Sequence, residues 1–213
     1  MDGERGGTWM AVNAAGVSAC LLNGYTPGED NSGAIPKDKP SRGFVVSAAM
    51  EKGSFDSVRR WLESDFSPDV YPSFTLLITS LDGMLCAEWD GHGGWKISSL
   101  ERGGHFFASS LWNTEEVIAH RNRAYELWQL QGSPIEGFLP LIHLERRAGQ
   151  EAYTPLMDRP SSRTHSITQC EVQRDFVKMR YWSRDAGQTP DPFHPSSVCQ
   201  LPVSAPGLPR DVI

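Results

Sequence analysis

Three polar side chains at the ends of predicted strands are the residues of this sequence best suited to chemistry. Asn23 closes the second predicted strand, Ser110 ends a later strand, and Arg163 opens the last predicted hairpin. An amide and a hydroxyl can donate hydrogen bonds to an oxyanion, and a guanidinium supplies a fixed positive charge. If their strands lie side by side, the three side chains converge on one rim of the sheet. The spacing then predicts a binding site for a carboxylate or an amide. The alternative is a set of polar strand ends that share no ligand.

Other motifs with a known chemistry are absent or have a structural interpretation. The six histidines and four cysteines form no HxH, HExxH or CxxC pattern, so we predict no metal site and no cofactor. The Gly-x-Ser-x-Gly elbow of serine hydrolases does not occur. The glycine-rich stretch at residues 90–94 joins two predicted strands and opens no helix, so it is interpreted as a hairpin turn and not as a phosphate cradle. The motifs therefore indicate no catalytic residue.

The strands that must position these residues are predicted from short apolar runs on either side of turn residues. Such runs predict three hairpins, and two further strands follow the second hairpin. The predicted strands cover residues 8–12, 17–22, 74–79, 84–89, 95–99, 105–109, 164–172 and 176–182.

Helical spacing of apolar residues predicts four helices between these strands. They are expected over residues 41–53, from Ser54 onward, over residues 113–131 and over residues 134–146. Asn113, with Glu116 three residues later, is typical of a capping box at the start of the third helix. Because the strands pair as hairpins and the helices come in pairs, we predict an α+β fold rather than a parallel βαβ sheet.

The composition of the chain changes near Ala186. Six prolines between this residue and Ile213 exclude a continuous helix or a central strand. We therefore predict one domain over residues 1–185, followed by a Pro-rich tail over residues 186–213 that is loosely draped or disordered.

Composition and charge argue against several classes of protein. With 213 residues and a net charge of −6, the chain lacks the surplus of cations typical of proteins that bind nucleic acid. No apolar run approaches the ~20 residues that a membrane-spanning helix needs, and the N-terminus does not resemble a signal peptide. The four cysteines are widely scattered, which argues against a disulfide scaffold or a zinc finger. We therefore expect a soluble, cytoplasmic protein without a nucleic-acid partner.

Several short motifs, taken in order, resemble one protein family. Gly6-Gly7-Thr8-Trp9 followed by Asn23 resembles the central block of the NRDE family, the family of transport and Golgi organisation protein 2. The further blocks that resemble the family in the same order are Ser41-Arg42-Gly43, Phe74-Thr75-Leu76 with Thr75 in place of the usual Asn, residues 109–112 with Arg121, and residues 163–167. The resemblance runs from Gly6 to about Trp182.

The resemblance also implies a fold and a place for each candidate site residue. The NRDE family resembles N-terminal-nucleophile hydrolases, αββα sandwiches that cleave amides with an N-terminal cysteine. In that comparison Asn23 takes the place of an oxyanion-hole Asn, Ser110 replaces a second Asn, and Arg163 takes the place of an active-site Arg. We therefore expect an αββα sandwich. Because no segment matching the family's N-terminal strands precedes residues 8–12, we also expect an unprotected sheet edge there.

Three functions follow as expectations from these observations. The family's Met-Cys start and Asn-Arg-Asp-Glu motif have no counterpart next to Met1-Asp2, so we expect no amidase activity and a role in binding a small carboxylate- or amide-bearing molecule. By resemblance, that role belongs to trafficking, secretion or Golgi organisation. The alternatives are an amidohydrolase whose catalytic cysteine lies upstream of this sequence, and a protein-interaction module indicated by the seven tryptophans and the Pro-rich tail.

Overall fold

A computed structural model describes residues 6–25 and 39–204 of the protein. Within these residues, antiparallel strands and a few helices form an α+β structure, as predicted. The described residues divide into two compact units. The first unit holds residues 6–25, 39–104, 170–178 and 200–204, and the second holds residues 105–169 and 179–199.

A five-stranded antiparallel sheet forms the centre of the first unit. Its strands follow one another in the order of the chain, from β1 at one side to β5 at the other. They are β1 (Met10–Asn13), β2 (Val17–Asn23), β3 (Phe74–Thr79), β4 (Met84–Trp89) and β5 (Trp95–Leu100). The first two predicted hairpins are confirmed, and residues 90–94 form the turn between β4 and β5, also as predicted.

Two helices of the first unit bury their apolar faces with this sheet in one core. They are α1 (Gly43–Glu51) and α2 (Phe55–Ser64). Ser54 caps α2 by accepting a hydrogen bond from the amide of Ser57 at 3.3 Å. The predicted buried face of α2 is confirmed at Phe55, Val58 and Leu62. Phe44, which the sequence places on the buried face of α1, is instead 42% exposed.

A single buried amide joins the first hairpin to the end of α1. Asn13 is fully buried, and its Nδ2 donates to the carbonyl oxygens of Met50 at 3.0 Å and Gly53 at 2.9 Å. Its Oδ1 accepts from the amides of Ala15 at 3.0 Å and Val17 at 3.1 Å. The Asn13 side chain thus bonds backbone groups of the β1–β2 turn and carbonyl oxygens at the end of α1.

The second unit contains a long helix and a short hairpin. The helix is α3 (Thr114–Leu130), and the hairpin pairs β6 (Ile135–Glu136) with β7 (Leu139–Pro140). A 3₁₀ helix over Leu141–Leu144 follows. A separate apolar cluster lies in this unit, formed by Leu139, Leu156, Ile167 and Trp182.

A three-stranded sheet is formed by the last strands of the chain. These are β8 (Ser166–Val172), β9 (Phe176–Ser183) and β10 (Ser197–Pro202), in the order β10-β9-β8. The sheet confirms the third predicted hairpin. Instead of a loosely draped or disordered tail, the described part of residues 186–213 contains β10 at a sheet edge, where a strand tolerates proline. Residues 205–213 lie outside the described residues, as do Met1-Asp2 and most of the loop before residue 39.

Two predicted elements are wrong. Residues 134–146 do not form the continuous helix predicted for them, because Pro140 lacks a donor and Gly137 adopts a φ of +56°, where an added Cβ would lie 2.5 Å from the carbonyl oxygen of Pro192. Residues 105–109 form no strand. The ring of Phe106 instead stacks on Tyr125 of α3 at 4.9 Å, so its apolar side chain has a partner without strand pairing.

The start of α3 also differs from the prediction. Asn113 precedes the helix, but its φ is +44° and its side chain makes no capping hydrogen bond to the backbone. Its Nδ2 instead donates to the carboxylate of Glu116 at 3.3 Å. The helix itself is confirmed, and Val117 is its one fully buried residue. No helix of the described residues is long and apolar enough to cross a membrane.

Candidate binding site

Two motifs of the first unit meet backbone to backbone. The amide of Thr8 donates to the carbonyl oxygen of Gly43 at 3.3 Å. A Cβ on Gly7 would lie 2.9 Å from the Cα of Gly43, and a Cβ on Gly43 would lie 2.8 Å from the amide nitrogen of Thr8. Both positions therefore require glycine. This close approach fixes the start of α1 and, with it, the residue before Gly43.

That residue, Arg42, is a buried cation in contact with a predicted site residue. Its side chain reaches the end of β2, where Nη1 donates to Oδ1 of Asn23 at 2.6 Å. Only 9% of Arg42 is exposed, and burial lowers the pKa of its guanidinium, while Tyr25 acts in the opposite direction. Nε of Arg42 is buried and has no hydrogen-bond partner within the described residues. Arg42 also forms no ion pair within those residues.

The amide of Asn23 is held in one orientation by its two partners. Because a guanidinium only donates, Oδ1 must face Arg42, and Nδ2 then donates to the hydroxyl of Tyr25 at 3.2 Å. The end of β2 is fixed as well, since the amide of Gly24 donates to the carbonyl oxygen of Ser73 at 2.9 Å. Among residues 6–25 and 39–204, the second N–H of Asn23 has no acceptor, and it lies beside a buried positive charge.

Ser110, in the second unit, is buried and already fully engaged. Its hydroxyl donates to the carbonyl oxygen of Trp112 at 2.6 Å and accepts from Nη2 of Arg159 at 3.1 Å. The predicted role of Ser110 is that of an oxyanion donor. In this arrangement the O–H bond of Ser110 is directed at the carbonyl oxygen of Trp112. The hydroxyl oxygen accepts from Arg159 and thereby orients the guanidinium of that residue.

Arg163 lies in a turn that connects it to Ser110 through Arg159. Asp158 and Arg163 pair as an isolated bridge, and the amide of Arg159 donates to the carbonyl oxygen of Ser162 at 2.8 Å inside this turn. Nε of Arg163 is buried and has no hydrogen-bond partner within the described residues. Two of the three predicted site residues are therefore linked within the second unit by one turn. Convergence of Asn23 with them on a shared cleft stays a prediction.

The turn that carries Arg163 is held by a buried arginine that the sequence did not indicate. The side chain of Arg184 is fully buried and donates to Oδ2 of Asp158 at 2.5 Å. It also donates to the carbonyl oxygens of Met157 and Thr164, each at 3.0 Å, on the two sides of the turn. The bond from Arg184 holds the pKa of the Asp158 carboxyl below its usual value. A lone arginine after an apolar strand is a weak sequence signal, so this role becomes visible only in the structure.

Nucleophile and metal chemistry have no support among the described residues. Burial raises the pKa of the Cys20 thiol, which disfavours the reactive thiolate. No group of three His, Cys, Asp or Glu side chains within the described residues could hold a metal ion. The arrangement around Arg42 and Asn23 is instead suited to binding an anion or a polar carbonyl group.

Comparison with models of known protein families gives a match. A family model described as Transport and Golgi organisation 2 matches residues 1–129, which is more than half of the 213-residue chain. The matched region includes the glycine contact between the two motifs, Asn23, Arg42 and Ser110. No curated protein matches the chain.

Proposed function

Since the chain belongs to the transport and Golgi organisation 2 family, we propose that it binds a small molecule carrying a carboxylate or an amide, in a trafficking- or secretion-related role. The observation that carries the proposal is the buried guanidinium of Arg42 beside the amide of Asn23. A buried charge without a counter-ion destabilises a fold by on the order of several kcal/mol. A ligand carboxylate would offset that cost.

The chemistry of the pair fits both ligand groups. A carboxylate can accept charge-assisted hydrogen bonds from a guanidinium, and these are about twice as strong as bonds between neutral groups. The remaining N–H of Asn23 can donate to the ligand's amide carbonyl or to its second carboxylate oxygen. We expect the surrounding fold to be the αββα sandwich of the family resemblance, which two sheets and the helices α1 and α2 support.

The test uses a probe with both groups. N-octanoylglycine carries an amide and a carboxylate, and its methyl ester lacks the charge. Isothermal titration of the full chain should show binding of the acid and weaker binding of the ester. Arg42→Gln should weaken binding of the acid by about tenfold or more, the effect of losing one hydrogen bond to a charged group. Arg60→Gln, which removes an exposed arginine from α2 of the same unit, should leave the affinity unchanged.

Two results would contradict the proposal. The first is wild-type protein that binds neither compound. The second is equal affinity of wild type and Arg42→Gln for the acid. Circular dichroism of each variant establishes that it is folded. If Arg42→Gln does not fold, the comparison of acid with ester on the wild-type chain still decides whether a carboxylate is recognised.

A further inference from the structure

The polar side chains at the end of β2 offer hydrogen-bond donors to a ligand rather than acceptors. Oδ1 of Asn23 already accepts from Nη1 of Arg42 at 2.6 Å. Nδ2 of Asn23 donates to the hydroxyl oxygen of Tyr25 at 3.2 Å, so the hydroxyl proton of Tyr25 must point in another direction. Within residues 6–25 and 39–204, this proton has no acceptor.

Three donors therefore lie together at this place. They are the hydroxyl of Tyr25, the second N–H of Asn23 and the guanidinium of Arg42, whose described hydrogen bond is made by Nη1. Tyr25 interacts with the guanidinium as well, because burial lowers the pKa of Arg42 whereas the charge of Tyr25 raises it. Asn23 and Tyr25 are half-buried, so solvent reaches both residues and a ligand can approach the donors.

The ligand group that matches a set of donors is one that only accepts hydrogen bonds. An ionised carboxylate has two oxygens with about four acceptor positions and no donor. A primary carboxamide has nearly the same shape, but its nitrogen carries two N–H donors that would face the donors of the protein. Of the three side chains, only the Tyr25 oxygen could accept from that nitrogen, and this oxygen already accepts from Asn23.

We propose that Tyr25 makes the site of Arg42 and Asn23 selective for an ionised carboxylate over the carboxamide of the same shape, by donating its hydroxyl proton to a carboxylate oxygen. This inference rests on the proposed function, because it takes the same site and narrows its ligand from a carboxylate or an amide to a carboxylate. Arg42 supplies the positive charge, and Tyr25 supplies a neutral donor. A hydrogen bond to an ionised acceptor is about twice as strong as one to a neutral acceptor, so the Tyr25 hydroxyl favours the carboxylate.

Two probes that differ only in this group test the selectivity. N-octanoylglycine ends in a carboxylate, and N-octanoylglycinamide ends in a primary carboxamide. In isothermal titration of the full chain, the wild type should bind the acid more tightly than the amide. Tyr25→Phe keeps the ring and removes the hydroxyl, so it should weaken binding of the acid by about tenfold or more. It should weaken binding of the amide less, so the ratio of the two affinities should fall.

A second tyrosine of the chain supplies the matched control. Tyr181 lies on β9 and is 38% exposed. Tyr181→Phe removes the same atom away from the proposed site and should bind both probes like wild type. Circular dichroism establishes that each variant is folded. If Tyr25→Phe does not fold, the two probes compared on the wild-type chain still decide the matter, because equal affinity for acid and amide would overturn the inference.

The remaining outcomes separate this inference from the proposed function. If the wild type binds the acid and Tyr25→Phe binds it equally well, Tyr25 does not contact the carboxylate, and the proposed function stands without this inference. Equal weakening of both probes in Tyr25→Phe would also overturn it, since that is the result of a role in packing alone. Wild-type protein that binds neither probe would contradict the proposed function itself, and the inference with it.

Discussion

The side chain of Asn13 bonds four backbone groups, of which the carbonyl oxygen of Met50 also accepts from the amide of Gly53 at 3.2 Å. Replacing Asn13 with alanine removes this partner from the other three, the carbonyl oxygen of Gly53 and the amides of Ala15 and Val17. We expect Asn13→Ala to lower the free energy of unfolding by about 3 kcal/mol or more, since each unsatisfied buried group costs about 1–3 kcal/mol. Urea unfolding followed by tryptophan fluorescence measures this loss.

Asn13→Asp separates the lost hydrogen bonds from the effect of charge. A carboxylate at this position would face the carbonyl oxygens of Met50 and Gly53, which only accept. The protonated acid can donate one hydrogen bond, so the destabilisation should shrink as the pH falls from 7 to 5. Asn122→Asp, at an exposed position on α3, is the control and should show little change. Equal stability of Asn13→Asp at both pH values would contradict this account.

Residue types and spacing identified part of the candidate site and missed the rest for a physical reason. Asn23 could be predicted because it ends an apolar strand and carries an amide. Arg42 could not be predicted as its partner, because its burial depends on the contact between Gly7 and Gly43, which are far apart in the sequence. Ser110 could be located, but the direction of its hydroxyl depends on Trp112 and is not encoded in a local pattern.

At the scale of elements, α1 is placed by a glycine where helix propensity favours alanine. Replacing glycine with alanine in a helix usually stabilises it by about 1 kcal/mol. At Gly43, the added Cβ would lie 2.8 Å from the backbone nitrogen of Thr8, which cannot move without shifting the start of the first hairpin. We therefore expect the opposite sign, a loss of about 1–3 kcal/mol from overpacking. Thermal unfolding of Gly43→Ala measures it, and a stabilised variant would contradict the close contact.

The same scale shows which elements could be predicted. β3 and β4 agree with the prediction to the residue, because each is a short apolar run and Asp82-Gly83 between them favours a turn. The stretch at residues 134–146 has apolar residues at helical spacing, but its local Gly137 and Pro140 exclude the helix. At residues 105–109 a strand is predicted from apolar residues, although such residues indicate burial and do not by themselves indicate strand pairing. An apolar side chain can be buried against a helix as well as within a sheet, so pattern alone cannot choose.

Arg184 connects the end of β9 to the turn that carries Arg163. Its side chain is fully buried and its partner Asp158 is 22% exposed. Arg184→Gln should destabilise the protein by about 3 kcal/mol, because it leaves the Asp158 carboxylate without its main counter-ion and removes the donor to the carbonyl oxygen of Thr164. Chemical denaturation at pH 7 measures this. Arg147→Gln, which removes an exposed arginine from a surface ion pair with Glu145, is the control and should cost less than about 1 kcal/mol.

The pH dependence of the Arg184–Asp158 pair follows from the direction of the pKa shift. Because the folded state lowers the pKa of Asp158, the pair stabilises the fold above the carboxyl's ordinary pKa of 3.8. That contribution is lost as the pH falls below this value, through the lowered folded-state pKa. The stability difference between wild type and Arg184→Gln should therefore shrink on acidification below pH 4. A difference that stays constant from pH 7 to pH 3 would show that the ion pair contributes nothing.

At the scale of the whole molecule, the two units are assembled from separate stretches of chain. Residues 170–178 belong to the first unit although the residues before and after them belong to the second. The change of composition at Ala186 could not indicate this, because composition follows the chain whereas units follow contacts. The amide of Ser204 donates to the carbonyl oxygen of Ala14 at 2.8 Å, so part of the proline-rich segment is bonded to the first hairpin.

The rates at which the four cysteine thiols react with a reagent report on the fold of the whole molecule. Burial raises the pKa of Cys20, Cys86 and Cys170, the last two to about 11, whereas Cys199 is exposed on β10. Because the thiolate is the reactive form, native protein at pH 8 should react rapidly with an aromatic disulfide reagent at one thiol per chain. Cys199→Ser should remove the fast phase, and unfolding in urea should expose the remaining thiols.

The slow labelling of Cys20, Cys86 and Cys170, whose thiols have a raised pKa, should then report opening of the first unit, where all three lie. Asn13→Ala destabilises that unit, and none of the described hydrogen bonds of Asn13 involves a cysteine. The variant should therefore accelerate the slow phase of labelling and leave the fast phase unchanged. Mass spectrometry of the labelled sites checks the assignment. A second fast-reacting thiol in the wild type, lost in Cys20→Ser, would instead identify Cys20 as an accessible nucleophile. That result would also reopen the question of cysteine-dependent amide hydrolysis, which a buried thiol of raised pKa cannot perform.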